Sequence, residues 1–393
     1  MGKAILIVVA MIGMAGITRG DSWTQLANFS GQWRSSAVGF SIGNKGYLGL
    51  GNYHANNQTT YLNDFWEYDP STNSWTQMAD YAGSSTESAT GFSIVDKGFI
   101  VNNNDFWEYD PSTNTWIQKA NFIGPARSAP IGFSIGNKGF VGFGESMSAD
   151  GSSDFWEYNP ISDSWTQKAS QFNRRDQIGF SINSMGYVGL GKISYCGMVY
   201  DDLFEYSPDS NLWIPRANFV GQRRYAIGFS IGNKGYAGAG TDETNWFKDF
   251  WEYNPTNNQW NQKSDLPYNN LHTMGIGFGI LDRGYVYIPD SSNAFWEYTP
   301  DAATGINEIA QTNMPTSLFP NPFTDKTTFT IAGNPQNTML NIFNIQGQKV
   351  KSFYVGNAKE YVMNRDDLSE GIYFYELIDS NSKPLVTGKI VVE

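Results

Sequence analysis

The sequence has few of the residues that disulfide frameworks and metal centres require. Its 393 residues include one cysteine, Cys196, and two histidines, His54 and His272. A single thiol excludes an internal disulfide framework and a multi-cysteine zinc site. We therefore expect no metal and no cofactor.

Positive charge is also scarce. The chain carries 26 Lys and Arg against 38 Asp and Glu, which gives a formal net charge of −12. Binding to phosphate backbones requires a basic surface, so this balance argues against a nucleic-acid partner.

Long hydrophobic runs are lacking outside the N-terminus. There, Lys3 precedes an apolar run from Ala4 to Ile17, and Thr18-Arg19-Gly20 follows. This order is typical of a signal peptide, and the run is too short to span a bilayer. We predict a signal peptide over residues 1–20 and an exported mature chain without a transmembrane segment. The alternative is a buried N-terminal strand.

Aromatic residues are abundant, at 16% of the chain, and they follow a repeat. Its first segment runs from Gly39 to Tyr47 and predicts a hairpin, because two apolar strands flank a Gly-Asn turn. The leading glycine recurs as Gly91, Gly132, Gly179, Gly228 and Gly277. The second segment, Asp64-Phe65-Trp66-Glu67-Tyr68-Asp69-Pro70, recurs with Pro111, Pro160, Pro208, Pro255 and Pro300. A tryptophan stands five residues after all but the last of these prolines, as Trp75, Trp116, Trp165, Trp213 and Trp260.

The sixth tryptophan of this series is Trp23, at the start of the mature chain. The repeat therefore supplies six hairpins (strands a and b), six c strands and six d strands, beginning with d and ending with c. Pairing the first d strand with the last c strand closes a ring without exposed edges. We predict an all-β fold with a six-bladed β-propeller over residues 21–300.

The repeat resembles the kelch motif. Glu67-Tyr68-Asp69-Pro70 is followed by Asn73 and Trp75, and Gly49-Leu50-Gly51 ends strand b. The resemblance covers residues 21–300. One departure is that the usual double glycine is here Gly-x-Gly or missing, as in Ile100-Val101-Asn102 and Tyr287-Ile288-Pro289.

The C-terminal region differs from the repeat. Residues 301–316 predict a polar linker, and residues 317–393 alternate with period two between turn residues, which indicates a small Ig-like β-sandwich. The blocks around Pro320-Asn321-Pro322, Gly347, Gly371 and Lys389 resemble the type A sorting domain of the type IX secretion system. The resemblance implies a Bacteroidota-type bacterium, passage through the periplasm, contact with outer-membrane sorting machinery, and release or attachment to the cell surface. An Ig-like adhesion module is the alternative.

Positions that break the repeat are the candidate ligand site. Glu67, Glu108, Glu157, Glu205, Glu252 and Glu297 occur once per blade, so we interpret them as structural hydrogen-bonding groups. The b–c loops vary in length and share a face with the d–a loops, and variable loops on a rigid scaffold carry binding sites. Trp33 and Trp246, the two tryptophans outside the repeat, fall on this face, as do Tyr53 and His54. The two tryptophans are suited to stack on a sugar ring or to anchor a protein partner, and the alternative is that they pack locally under a long loop.

A near-ring of basic residues lies on the same face. Five residues before each leading glycine stand Arg34, Thr86, Arg127, Arg174, Arg223 and His272, and Arg175 and Arg224 are adjacent. The arginines predict a positive collar suited to carboxylate ligands. A structural role within the kelch pattern is left open.

These features favour a non-enzymatic protein that binds a glycan or an extracellular protein at or outside the cell surface. Two enzymatic alternatives follow from the resemblance. Six-bladed kelch proteins include sialic-acid mutarotases or epimerases, for which His272 would be the acid–base group. Kelch folds also include copper-radical oxidases, and Tyr53, His54, Cys196 and His272 would be the ingredients. Against the oxidase, Cys196 belongs to blade 4, across the ring from His54 in blade 1.

Overall fold

The computed structural model of the chain describes residues 20–84, 89–146, 152–171, 173–193, 196–267, 274–289, 292–301, 316–331, 338–344, 349–365, 368–378 and 384–393. These residues form strands and turns and contain no helix. It follows that no described segment is a helix able to cross a membrane. The chain divides into two compact units, residues 1–302 and 303–393.

The described part of the first unit contains six four-stranded antiparallel sheets, each with the strand order a-b-c-d. We call these sheets blades 1 to 6. Blade 1 comprises Val38–Ile42, Lys45–Gly49, Phe65–Asp69 and Ser74–Gln77. Blade 2 comprises Thr90–Ile94, Lys97–Asn102, Asp105–Asp110 and Thr115–Gln118, and blade 3 comprises Ile131–Ile135, Lys138–Gly142, Phe155–Asn159 and Ser164–Lys168. Blade 4 comprises Ile178–Ile182, Met185–Gly189, Leu203–Ser207 and Leu212–Pro215, and blade 5 comprises Ile227–Ile231, Lys234–Gly238, Phe250–Asn254 and Gln259–Lys263. Blade 6 comprises Ile276–Ile280, Arg283–Tyr287, Phe295–Thr299 and Ser22–Gln25.

Strand d of blade 6 comes from the opposite end of the unit. Ser22–Gln25 pairs with Phe295–Thr299 in antiparallel register, with Trp23 opposite Tyr298. The N-terminal strand therefore completes the last blade, as the strand count predicts.

The leading glycines show that the inner strands form a closed ring. A Cβ added to Gly91 would overlap Val38 of blade 1, and one added to Gly39 would overlap Ile276 of blade 6. The remaining four leading glycines meet the preceding blade in the same way. The inner strands approach each other too closely for any side chain at these positions. Because every blade packs on the next in this way, the predicted all-β propeller is confirmed.

The aromatic repeat packs each blade against the next. Phe65 of blade 1 lies edge-on to Tyr109 and Trp116 of blade 2, with ring centroids 5.0 Å apart in both pairs. Phe106 makes the same contacts with Tyr158 and Trp165 of blade 3. Strand c is buried between neighbouring sheets, and this burial explains why aromatic residues occupy both of its faces.

The repeated glutamates are structural, as interpreted from the sequence. In blade 1 the Tyr47 hydroxyl donates a hydrogen bond to Glu67 at 2.6 Å. Blade 3 has Phe140 at the tyrosine position, and there Lys168 pairs with Glu157 at 2.8 Å. Each glutamate thus has a partner within its own blade.

Two further two-stranded ribbons lie in the loops of the propeller. Asn52–Ala55 pairs with Gln58–Tyr61 in the b–c loop of blade 1. Arg127–Ser128 pairs with Glu145–Ser146, which joins a d–a loop to the b–c loop of blade 3.

The second unit is a sandwich of a three-stranded and a four-stranded sheet. The first contains Thr316–Phe319, Lys326–Ile331 and Glu360–Asn364, and the second contains Lys349–Gly356, Thr338–Phe343, Gly371–Ile378 and Pro384–Val392. Phe329 and Met363 of the first sheet share one buried core with Leu340, Leu377 and Ile390 of the second.

The sequence blocks of this unit meet at its C-terminal strand. The Asn321 amide donates a hydrogen bond to the Lys389 carbonyl at 2.9 Å and accepts one from the Val391 amide at 2.7 Å. Pro320 and Pro322 follow cis peptide bonds on either side of Asn321. Gly371 begins a strand, and Gly347 lies outside the described residues.

The a–b turns of blades 2 and 6 carry residues that their left-handed backbone disfavours, Val95 and Leu281. Val95 has a φ of 55°, where blades 1, 3 and 5 have Gly43, Gly136 and Gly232 at φ values of 56–59°. The Val95 side chain is exposed and gains no burial. A β-branched residue in the left-handed region is strained.

We predict that Val95→Gly raises the free energy of unfolding by about 0.5–1 kcal/mol, the relief of left-handed strain less the entropy cost of glycine. Urea or thermal unfolding measures this change. Gly43→Val is the matched reverse variant, because no atom lies within 4 Å of an added Cβ at Gly43. It should lower stability by a similar amount, and two changes of the same sign would contradict the backbone explanation.

Candidate functional site

The mouth of the central channel opens among the segments that precede strand a of each blade. A cavity of about 370 Å³ lies there, lined by Ser36, Ala89, Ala129, Asp176, Tyr225 and Met274 among others. A second cavity of about 220 Å³ continues along the leading glycines. Both cavities are lined by Ala37, Gln177 and Ala226, so they are continuous. The mouth has the size of a small-molecule site, roughly 300–1,000 Å³.

Four arginines of the predicted collar lie inside the protein. Arg34 is 0% exposed, and its guanidinium makes a bidentate pair with Asp64 at 2.6 and 2.7 Å and donates to the Leu50 carbonyl at 3.1 Å. Arg127, Arg174 and Arg223 are also buried and pair with Asp154, Asp202 and Asp249. Each pair ties a d–a loop to the start of strand c.

This arrangement differs from the expected positive collar, for an electrostatic reason. In each of these four blades, the aspartate at the start of strand c pairs with the guanidinium inside the blade. The guanidinium charge is therefore neutralised there and is not presented to the channel. Burial alone would raise the pKa of Asp64, but the hydrogen bonds and charge of Arg34 hold that pKa below its usual value. The geometry matches the structural role that the sequence leaves open. Thr86 and His272 lie outside the described residues, and blade 6 has Ala294 at the aspartate position.

Arg175 and Arg224, the next residues along the chain, stand at the mouth. Antiparallel bridges to Lys192 and Thr241 fix their backbones to the b–c loops of blades 4 and 5. Arg175 pairs with Glu145 at 2.9 Å, and Arg224 pairs with Glu243. Their side chains are 31% and 16% exposed, so part of each side chain remains accessible.

Asp176 lies between these two arginines. Arg175 Nε and Arg224 NH1 are each 3.6 Å from Asp176 Oδ2, too far for a hydrogen bond, and this oxygen has no hydrogen-bond partner among the described residues. Burial raises the pKa of the carboxyl to about 6, although both arginines oppose the shift. A buried polar atom without a partner is costly, which makes a carboxylate at a cavity wall a functional candidate.

Sequence reasoning missed Asp176, Gln177 and Tyr225. Both amide atoms of Gln177 lack a hydrogen-bond partner within the described structure. The signal that could have found it is the comparison between blades, since the five equivalents of Gln177 are Ala37, Ala89, Pro130, Ala226 and Gly275. The left-handed backbone of Asp176 carries no such signal, because Ser36, Ala129 and Tyr225 share it, with φ values of 49–58°.

An aromatic wall borders the site on blade 5. The Arg224 guanidinium lies 4.2 Å from the centroid of the Tyr225 ring, and Tyr225 stacks parallel to Trp246 at 6.5 Å. Glu243 links this loop to blade 4 through Lys192 at 3.1 Å. The structure therefore places the predicted Trp246 against Tyr225, whose ring the Arg224 guanidinium also contacts.

The other predicted residues lie elsewhere. Trp33 packs against Tyr53 at 6.2 Å, and exposed His54 lies near Thr59 at 3.2 Å, on the ribbon of blade 1. Neither these residues nor exposed Cys196 line the channel-mouth cavity. The described residues contain no cluster of three or more His, Cys, Asp or Glu that could hold a metal.

Comparisons with known proteins agree with this architecture. Residues 317–393 match the secretion system C-terminal sorting domain, and residues 53–80 match the kelch motif. The solved structure titled "Structure of YjhT" superposes with a TM-score of 0.57 at 13% identity, covering 70% of this chain and 95% of that one, which shows a shared fold. The chain thus combines a kelch-motif β-propeller with a secretion-sorting domain, which points to secretion through the type IX system.

Two sequence relatives are N-acetylneuraminate epimerases, from Yersinia pestis (strain Pestoides F) and Yersinia pseudotuberculosis serotype O:1b (strain IP 31758). Each is 37% identical over 92 residues, which cover 21% of this chain and 24% of the relative. The chain therefore spans about a quarter of the length of the curated relatives it matches.

We predict that Asp176→Asn raises the free energy of unfolding above pH 7 by about 3 kcal/mol, because the folded protein holds a carboxylate whose pKa burial raises to about 6. The wild type binds this proton more tightly when folded, so its stability falls as pH rises from about 4 through 6. Unfolding measured from pH 4 to 8 should show the two proteins converging at the acid end. Asp282→Asn, at a side chain 82% exposed, is the control. If Asp176→Asn and the wild type are equally stable at every pH, burial does not raise the pKa of the Asp176 carboxyl and the prediction is wrong.

Proposed function

We propose that this exported propeller binds a small carboxylated sugar at the channel mouth, through Arg175 and Arg224. The observation that supports it is the asymmetry of the mouth. Blades 4 and 5 supply Arg175, a buried carboxylate (Asp176) and an aromatic ring (Tyr225) to the cavity wall, with Arg224 beside them, where blades 1 and 3 supply Ser36 and Ala129. In a repeat scaffold, a feature that two blades carry and the described equivalents in blades 1 and 3 lack is a candidate for recognition.

The chemistry of the mouth suits such a ligand. Guanidinium groups bind carboxylates in a bidentate manner, and Glu145 and Glu243 already orient the two arginines. The part-buried Tyr225 ring offers an apolar face for a pyranose. Asp176 and Gln177 leave polar atoms without partners at the wall, which hydroxyl groups of a sugar are able to satisfy.

Isothermal titration with N-acetylneuraminate, a carboxylated sugar, tests binding. We expect Arg175→Ala and Arg224→Ala each to weaken affinity about 10- to 100-fold, since a hydrogen bond to a charged group contributes about 1.5–3 kcal/mol. Arg216→Ala is the matched control, because Arg216 is also paired with a glutamate and is 30% exposed. A glycan array extends the test to other ligands. No binding to any glycan, or equal losses in all three variants, would contradict the proposal.

A sialic-acid mutarotase or epimerase is the second candidate. It is favoured by Asp176, whose pKa of about 6 suits a general acid–base group near neutral pH. The partial match to N-acetylneuraminate epimerases points the same way. Asp176 would then take the proton-transfer role that sequence reasoning gives to His272, and Arg175 and Arg224 would hold the sugar carboxylate.

A mutarotation assay on N-acetylneuraminate separates the two candidates. If the site is catalytic, Asp176→Asn should lower the rate about 10²-fold or more while affinity is retained, since general acid–base groups contribute about 10²–10⁴. His272→Ala is the comparison variant, and a selective loss there would favour the histidine. If the wild-type protein does not raise the mutarotation rate above the spontaneous rate, the catalytic candidate is excluded and only the binding function remains.

We also propose a route by which the propeller reaches the cell exterior. The sorting domain would carry the propeller across the outer membrane as a type A domain and then be removed, leaving the propeller released or attached to the cell surface. The match of residues 317–393 supports it.

A further inference from the structure

Blade 6 differs from the others in having no covalent turn between strands c and d. In blade 1 the chain passes from Asp69 through a tight turn to Asn73 and into Ser74–Gln77. In blade 6, strand c ends at Thr299, whereas strand d begins at Ser22, so two separate parts of the chain meet there.

Asp21 takes the place of the turn residue of the other blades, which is an asparagine in blades 1, 2, 4 and 5 and Asp163 in blade 3. Asn73 accepts hydrogen bonds from the Tyr68 hydroxyl and the Ala27 amide, both at 2.9 Å. Asp21 likewise accepts from the Tyr298 hydroxyl at 3.1 Å and the Ser264 amide at 2.5 Å. The blade therefore needs the chain from Asp21 onward, and nothing lies within 4 Å of a Cβ added to Gly20.

Among the described residues, the charges around Asp21 leave one negative charge in excess. Asp301 accepts a hydrogen bond from the Asp21 backbone amide and pairs with Lys263 at 2.8 Å. Lys263 and Lys234 also approach Glu252, at 3.6 and 4.0 Å. Three carboxylates (Asp21, Glu252 and Asp301) thus face two lysines. The negative field raises the pKa of Tyr298 beyond the effect of burial.

We propose that the precursor is cleaved between Gly20 and Asp21, and that the new α-ammonium group of Asp21 pairs with Asp301 and locks the ring. A peptidase of the export pathway would hydrolyse the amide with water, leaving a carboxylate on Gly20 and an ammonium on Asp21. This ammonium supplies the missing positive charge where the other blades have a covalent turn. Ring closure is therefore stronger after processing than in the precursor. This ion pair does not depend on ligand binding at the channel mouth.

A thermodynamic cycle on the whole mature chain tests the ion pair. Residues 21–393 are prepared with a free Asp21 amine and, separately, with Gly-Ser-Gly before Asp21, which converts that amine into an amide. Asp301→Asn is introduced into both forms. We expect it to lower the midpoint of propeller unfolding by roughly 1–3 °C more in the free-amine form, the effect of one partly exposed ion pair.

Asp110→Asn is the matched control, because Asp110 also pairs with a lysine, Lys97, but lies next to a covalent turn. Its effect should be the same in both forms. An equal effect of Asp301→Asn in the two forms would overturn the ion pair. Mass spectrometry of the exported protein should find an N-terminal peptide that begins at Asp21, and any other N-terminus would overturn the cleavage site.

Discussion

The propeller depends on one pair of hydrogen bonds that is repeated between every two neighbouring blades. In blade 2, Trp116 Nε1 donates to the Ala79 carbonyl at 3.0 Å, and Asn114 accepts from the Ala79 amide at 2.8 Å. At ring closure Trp23 donates to the Ser264 carbonyl at 2.9 Å, so the N-terminal strand makes the same contact. These bonds hold the segment after each strand d against the next blade, and that segment leads into the channel mouth. Low charge content follows, because stacked sheets leave few solvated faces.

The fold was predictable because its causes are local and repeated. Spacing alone identifies Trp23 as the missing tryptophan, and turn chemistry identifies the hairpins. The site was predictable only in part. Arg34 was read as a ligand group from its charge, whereas its burial is decided by Asp64, thirty positions away in the chain. Asp64, Asp154, Asp202 and Asp249 accompany the arginines blade by blade, so internal comparison could have predicted the pairs. The burial of Asp176 depends on contacts among blades 3, 4 and 5, so it could not be predicted from any single segment of the sequence.

The site and the scaffold use the same chemistry for opposite purposes. Arg34 and Asp64 satisfy one another almost completely, so they strengthen the blade and offer nothing to a ligand. Arg175 and Arg224 have glutamate partners at the rim, and Asp176 between them is left with an oxygen that forms no hydrogen bond. Such a cluster lowers stability in the free protein. We propose that a ligand supplies the missing partners, so that binding offsets the cost that the free protein bears.

We propose that the ligand occupies the channel mouth between blades 4 and 5, and the most direct test is a crystal structure after soaking with N-acetylneuraminate. We predict density for the sugar in the mouth cavity, with its carboxylate within about 3 Å of Arg175 or Arg224 and its hydroxyl groups facing Asp176. Density on the Trp33–Tyr53 ribbon of blade 1, with the mouth empty, would contradict the account.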